Sequence, residues 1–478
     1  MRPRTVAALM LSLHVAAGAQ DRDAAAAHAR AGATALAARN WAAAEQEYGA
    51  ALRLEPDVAE LASNLGLSLY FQKKFDAAAQ LFERALHRAP DLFVPNLFLG
   101  RLRIDQGRGA EAVPYLEKCA RSQPANALIR RLLASGLVAR GDRQLALEQL
   151  REAVRLEPNT MEAWYSLSKV SMDLARVWME KAAGHPTEGK HYRNLILARS
   201  FEEQGATETA KNYYRALGQS DPAAANGEAQ RNAVTLFEAG NVELAASRFL
   251  DLLRAHPNDP QAAYWLGRCY ERTAQEAMRR MVDLAPDSHR VHQLNAELAM
   301  EQGRSSDAIA HYTKALAQKP NDRALVFGLG QAFMKDGQLQ AAIAQFEKVI
   351  AQDPRDASAT LNIARCYLAL KDSRRAYEHA RRASSIDPKL LQSYGVMGRA
   401  LAIEDRTAEA VLELEKAAPS DTDGSVHYQL FLAYRKLNEA AKAQVALRRS
   451  TELRSHNRQD YLEEVGIRAG APSPSAAK

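Results

Sequence analysis

Set NLGLSLYFQKKFDAAAQLFERALHRAP, Asn64 to Pro90, against GLGQAFMKDGQLQAAIAQFEKVIAQDP, Gly328 to Pro354, and one ladder of residues recurs in both. Leu65-Gly66, Ala78, Phe82, Ala85 and Pro90 match Leu329-Gly330, Ala342, Phe346, Val349 and Pro354. Pro56, Pro90, Pro124 and Pro158 hold the same register of about 34 residues without a break. That periodicity rules out a string of globular domains with private cores. A unit this short leaves an apolar face open, so its neighbours must stack on it. As paired helices the ladder has a physical sense. Gly66 and Gly330 mark where the second helix of the unit comes close, and Ala78 and Ala342 are the small residues expected opposite them. Phe82 and Phe346 are expected to fill the gap toward the next unit. Each proline closes a second helix because it cannot continue it.

This ladder resembles the tetratricopeptide repeat, whose unit carries Leu-Gly, an aromatic, Ala, Phe or Tyr, Ala and Pro at fixed offsets. The resemblance implies an all-α solenoid, a right-handed superhelix of stacked helix-turn-helix units. The composition agrees, with only 7% aromatic residues and abundant alanine. Units begin near Ala25, Ala59, Phe93 and Ala127, and the register resumes with Ala210, Tyr214 and Pro222, then Ala245, Phe249 and Pro257. Ala308, Tyr312 and Pro320 mark a further unit, Gly330 to Pro354 the next, then Tyr367 to Pro388, Gly398 to Ala417, and Tyr434 with Ala443. Two stretches break the rhythm. In Tyr264 to Pro286 the closing proline arrives early and no Gly, Asn or Asp marks a turn, and Trp164 to Pro186 does much the same. We expect each pair of helices there to be fused into one long helix, or joined by an unusually tight turn. The chain then divides into a signal at 1–19, four units at 20–160 and a fused unit with two regular ones at 161–259. A fused unit with five regular ones follows at 260–457, then a capping helix and tail at 458–478.

The first residues, MRPRTVAALMLSLHVAAGAQ, place Arg2 and Arg4 before an apolar run that ends in Ala17-Gly18-Ala19. That is the order of a secretory signal cleaved after Ala19, so the mature chain is expected in the periplasm or outside the cell. No other long apolar run follows, so no transmembrane span is expected in the mature protein. Removal of the signal lowers the formal charge from +6 to about +4. Basic and acidic residues interleave along most helices, which excludes a nucleic-acid track. Cys119, Cys269 and Cys366 cannot all pair within the chain and fall at positions the repeat buries, so packed free thiols are expected.

The array leaves no room for a catalytic domain, and no HExxH, GxSxG, phosphate loop or GxGxxG is present. His289 and His292 offer at most half of a metal site. Neither enzyme activity nor a cofactor is expected. What remains is the groove. In the resembled family the second, fifth, ninth, twelfth and thirteenth positions of each first helix line a concave surface that holds a partner's segment. At or near the ninth position stand Arg101, Lys169, Arg199, Arg268, Arg365 and Arg399, and Tyr192, Tyr264 and Phe327 fall on or near other groove positions. Arginines so placed can grip carboxylates or carbonyls, with aromatics as apolar anchors. Groove acids such as Glu202, Glu271 and Glu301 are the competing partners. Asn64 and Asn362 lack the accompanying lysines needed to capture a C-terminal carboxylate. The resemblance thus implies an exported scaffold for other proteins or peptides; a glycan or peptidoglycan binder and a self-assembling structural protein are the alternatives.

Overall fold

A computed structural model describes residues 21–203, 205–217 and 227–464. The expected signal, the closing Pro222 and the tail beyond 464 lie outside the described residues. Among the described residues all repetitive structure is helical. The regular units are antiparallel pairs, for example Ala59–Phe71 with Phe75–Arg88, Arg323–Lys335 with Leu339–Gln352, and Ala357–Ala369 with Ser373–Ile386. The helix that begins at Ala440 runs on to Glu464.

One backbone device makes every regular pair. The first helix ends on a residue in the left-handed region: Gly107, Gly141, Gly205, Gly240, Gly303 and Gly337 in six units, and Arg39, Lys73, Lys371, Asp405 and Asn438 in five others. The next amide then reaches back to a carbonyl five residues earlier, as in Lys74 N to Leu69 O at 3.0 Å and Gln338 N to Phe333 O at 2.9 Å. This satisfies carbonyls that the helix end would leave open and turns the chain into the second helix. A side chain at such a position costs about 1 kcal/mol or more. At Gly337 an added Cβ would meet nothing within 4 Å, so only backbone strain counts there. Gly337→Ala should lower stability by about 1 kcal/mol, whereas Lys371→Gly should leave it unchanged or raise it by up to about 1 kcal/mol, because glycine's looser unfolded chain offsets part of the relief. Urea midpoints of the two variants measure the difference.

The same position falls on Ala175 and Ala274 in the two irregular stretches. There the chain does not turn. Met161–Ala183 is one helix of 23 residues and Pro260–Leu284 one of 25. Alanine is the best helix former and a poor occupant of the left-handed region, so both preferences favour running straight through. Asp259 starts the second long helix by accepting from the amides of Gln261 and Ala262, with Pro260 in the first turn.

The core is shared between units. An added Cβ on Gly66 would lie 2.8 Å from the Phe82 ring, and on Gly330 2.8 Å from the Phe346 ring. The glycines therefore receive the aromatic of their own second helix, with the small Ala78 behind it, rather than a bare helix backbone. The ring does not stop there. Phe82 also packs with Leu99 and Leu102 of the next unit, and Phe346 with Ala359, Ile363 and Cys366. Each aromatic thus ties its unit to the following one, as nearest-neighbour stacking requires.

Packing groups the chain into two compact units. The first holds the residues up to Trp178 together with Leu236–Ser247 and Trp265–Arg280; the second holds Met179–Thr235, Arg248–Tyr264 and the residues from Met281 onward. Inside the first unit, the helix Arg143–Leu156 is met by residues far along the chain. The Tyr270 hydroxyl donates to Gln144 Oε1 at 2.6 Å, and Arg151 pairs with Glu243 at 3.4 Å. The first contact joins residues 126 apart in sequence, so this unit departs from strict nearest-neighbour stacking.

Candidate partner-binding face

The first helices of successive units touch one another. Ala59–Phe71 meets Phe93–Asp105, which meets Ala127–Arg140, all in the first compact unit. In the second, Ala357–Ala369 meets Gln392–Ile403, which meets Ser425–Lys436. Each run makes one continuous face. The helix Arg323–Lys335 shows which positions point outward. Leu325, Val326, Gly328, Leu329, Gly330 and Ala332 are buried, while Ala324, Gln331 and Lys335 are exposed and Phe327 and Met334 are half-buried. These outward positions are the second, ninth and thirteenth, with the fifth and twelfth partly open. One and two repeats onward from Gln331, the ninth position is Arg365 and then Arg399, both exposed.

The candidate residues fare differently. Arg101 is 3.7 Å from Asp105 on its own helix, and Arg268 lies 2.7 Å from Glu271 with its side chain mostly covered. Each faces a carboxylate of its own helix, although the buried Arg268 Nε has no hydrogen-bond partner among the described residues. Lys169 is half-buried on Met161–Ala183. Arg199 stands over the Tyr264 ring at 5.8 Å. Tyr264 and Tyr192 are not on an open face. They are 1% and 3% exposed, with ring centroids 5.6 Å apart, and so serve as packing for the start of the long helix rather than as anchors. Phe327 meets Phe346 edge-on at 5.4 Å and keeps part of its ring open.

Arg365 and Arg399 remain. Arg365 donates to Asn362 Oδ1 at 3.3 Å, and desolvation by the surrounding protein holds its pKa below the ordinary guanidinium value. It stays charged at any physiological pH. Arg399 has no ion-pair partner among the described residues.

Other features were less legible. Trp41 stacks on Phe71 at 4.4 Å, and Tyr70 meets Phe98 edge-on at 4.8 Å, with Phe71 and Phe75 exposed. Tyr70 and Phe71 could be placed near the groove from their register; Trp41 and Phe75, on the second helices, could not. His292 turns away from His289 toward His311, with the two Nδ1 atoms 3.3 Å apart, while its Nε2 meets Asp287 at 2.8 Å. Burial, and then His292, lower the His311 pKa. Among the described residues no three His, Cys, Asp or Glu side chains gather as metal ligands would. Cys119, Cys269 and Cys366 are buried and unpaired; burial pushes the Cys119 and Cys366 thiols up to about 11 and Cys269 to about 12, which leaves them inert thiols. No helix among the described residues is long and apolar enough to cross a membrane.

Comparison of the sequence with protein-family profiles agrees with the fold. Three profiles described as tetratricopeptide repeat match the chain. One covers 30–92, 132–176, 231–289, 272–323 and 293–357, a second 69–136 and 333–397, and a third 195–224. No curated protein matches the chain. Among solved structures, a tetratricopeptide repeat protein from Parabacteroides merdae is 13% identical over 72% of this chain and 98% of its own, with a TM-score of 0.38. A MamA crystal structure is 18% identical over 38% of this chain and 98% of its own, with a TM-score of 0.31. PilF from Pseudomonas aeruginosa is 14% identical over 46% of this chain and 99% of its own, with a TM-score of 0.34.

Proposed function

Because the chain belongs to the tetratricopeptide repeat family, we propose that it is an exported, non-enzymatic adaptor. It holds a segment of another protein along the face made by its first helices, in the assembly of an envelope or secretion complex. The observation that carries this reading is the pair Arg365 and Arg399, at one structural position in successive units, exposed and without carboxylate partners among the described residues. Solvated surface arginines on helices commonly pair with an acid three or four residues away, as Arg101, Arg280 and Arg374 do here. Two neighbours left unpaired on a shared face are available to a partner's carboxylates or carbonyls. The signal-like N-terminus supports the compartment, with the mature chain expected to begin at Gln20.

A cross-linked pull-down from envelope extract tests the reading. The mature protein is compared with Arg365→Glu/Arg399→Glu, after equal helicity is checked. Partners retained by the wild type and lost by the variant are expected. Identical partners for both proteins would move the binding site off this face.

A further inference from the structure

The four consecutive first helices Arg323–Lys335, Ala357–Ala369, Gln392–Ile403 and Ser425–Lys436 contain no aspartate or glutamate. With 57 acidic residues in 478, about six would be expected in that length of chain. The second helices of the same units keep their acids, among them Glu347, Glu378, Glu409 and Glu413. In this stretch the carboxylates are therefore confined to the second helices and the connecting turns, while basic residues occur in both layers. The first-helix layer presents Arg365, Arg399 and Arg435 with no carboxylate partner among the described residues; Arg435 stands over the Phe431 ring at 5.5 Å, whereas Lys436 is held by Asp405. Beside these cations lie two apolar side chains that nothing covers, Ile403 at 58% and Leu432 at 41% exposure. Arg399, Ile403 and Leu432 occupy the ninth, thirteenth and ninth positions of two touching helices, so charge and apolar surface alternate on one face.

We infer that this face, the last three first helices of the second compact unit, takes an extended acidic segment of another protein that also carries bulky aliphatic side chains. The inference deepens the adaptor reading and rests on it. Charge complementarity selects the occupant: a basic or neutral segment would leave three cations facing like charge or nothing, while carboxylates would complete them. Spacing narrows it further. Neighbouring helices stand about 8–10 Å apart, and an extended segment in the polyproline II conformation has three residues per turn and rises about 3.1 Å per residue, so carboxylates three residues apart point the same way and match cations one unit apart. The aliphatic side chains between them meet Ile403 and Leu432.

The test uses the full mature chain and a labelled synthetic peptide with Glu at every third position and Leu between, read by fluorescence anisotropy. Two control peptides replace each Glu by Lys, or gather the same Glu residues at one end. The spaced acidic peptide is expected to bind, to weaken as salt is raised, and to lose at least tenfold in affinity with Arg365→Glu/Arg399→Glu. The milder Arg399→Gln should weaken it in the same direction. Arg374→Glu makes the same charge change on an exposed second-helix residue and should leave binding intact. Equal binding of the Lys peptide, equal binding of the clustered peptide, or an unaffected double variant would each overturn the inference. The adaptor reading fails separately. If the pull-down partner is lost with the double variant but its cross-linked segment is not acidic, the inference falls and the reading stands; if no partner is lost, the reading itself falls.

Discussion

Tyr270→Ala should destabilise the first compact unit by about 3–5 kcal/mol, the range for removing a fully buried aromatic ring. Tyr270 has no exposed surface, and its hydroxyl holds Gln144 across 126 residues of chain. Tyr270→Phe separates the two contributions. It keeps the ring, removes one hydrogen bond and leaves Gln144 Oε1 short of a donor, so about 1–3 kcal/mol should be lost. Hydrogen exchange is the suitable measurement, because a repeat array need not unfold in one step. The protection lost with Tyr270→Ala should fall on Arg143–Leu156 as well as on Pro260–Leu284. Loss confined to the mutated helix would mean that the long-range contact contributes little.

Phe346→Ala should lose about 3–5 kcal/mol, and Gly330→Val about 1–3 kcal/mol, each measured by urea unfolding. Phe346 is fully buried and bridges two units, and a Cβ on Gly330 would fall 2.8 Å from its ring. The two losses should not add. With the ring gone the valine has room, so Gly330→Val/Phe346→Ala should be more stable than the sum of the single changes predicts, by about 1 kcal/mol or more. Additivity would show that the ring and the glycine do not meet.

The regular units were legible in the sequence because every constraint on them is local. A glycine, an alanine and an aromatic at fixed offsets describe one helix pair, and a closing proline gives its end. The long helices Met161–Ala183 and Pro260–Leu284 were legible from the early arrival of Pro186 and Pro286. The contact of Tyr270 with Gln144 was not, since periodicity speaks only of neighbours. The same limit explains the candidate site. Register alone put Tyr192 and Tyr264 near the groove, but at the start of a long helix the usual stacking is interrupted and the two rings cover each other. Arg101 and Arg268 share a register with Arg399, and only the placement of Asp105 and Glu271 shows that each already faces a carboxylate of its own helix. The acid-free layer was readable in principle. It required knowing which helices lie side by side.

The contact between Gln144 and Tyr270 gives this chain a mechanical property that a simple stack of hairpins lacks. Drawn out from its ends, a plain solenoid lengthens one hairpin at a time from whichever end yields first. Here a lateral tie closes a loop of 126 residues, so that while it holds, the folded helices inside the loop are shielded from tension applied at the ends. Once the tie gives way those helices bear load in turn, and only their complete unfolding would release roughly 40 nm of contour, at about 3.3 Å for each extended residue. A protein that bridges two larger assemblies would thereby hold a reserve of length, available only above a threshold of tension.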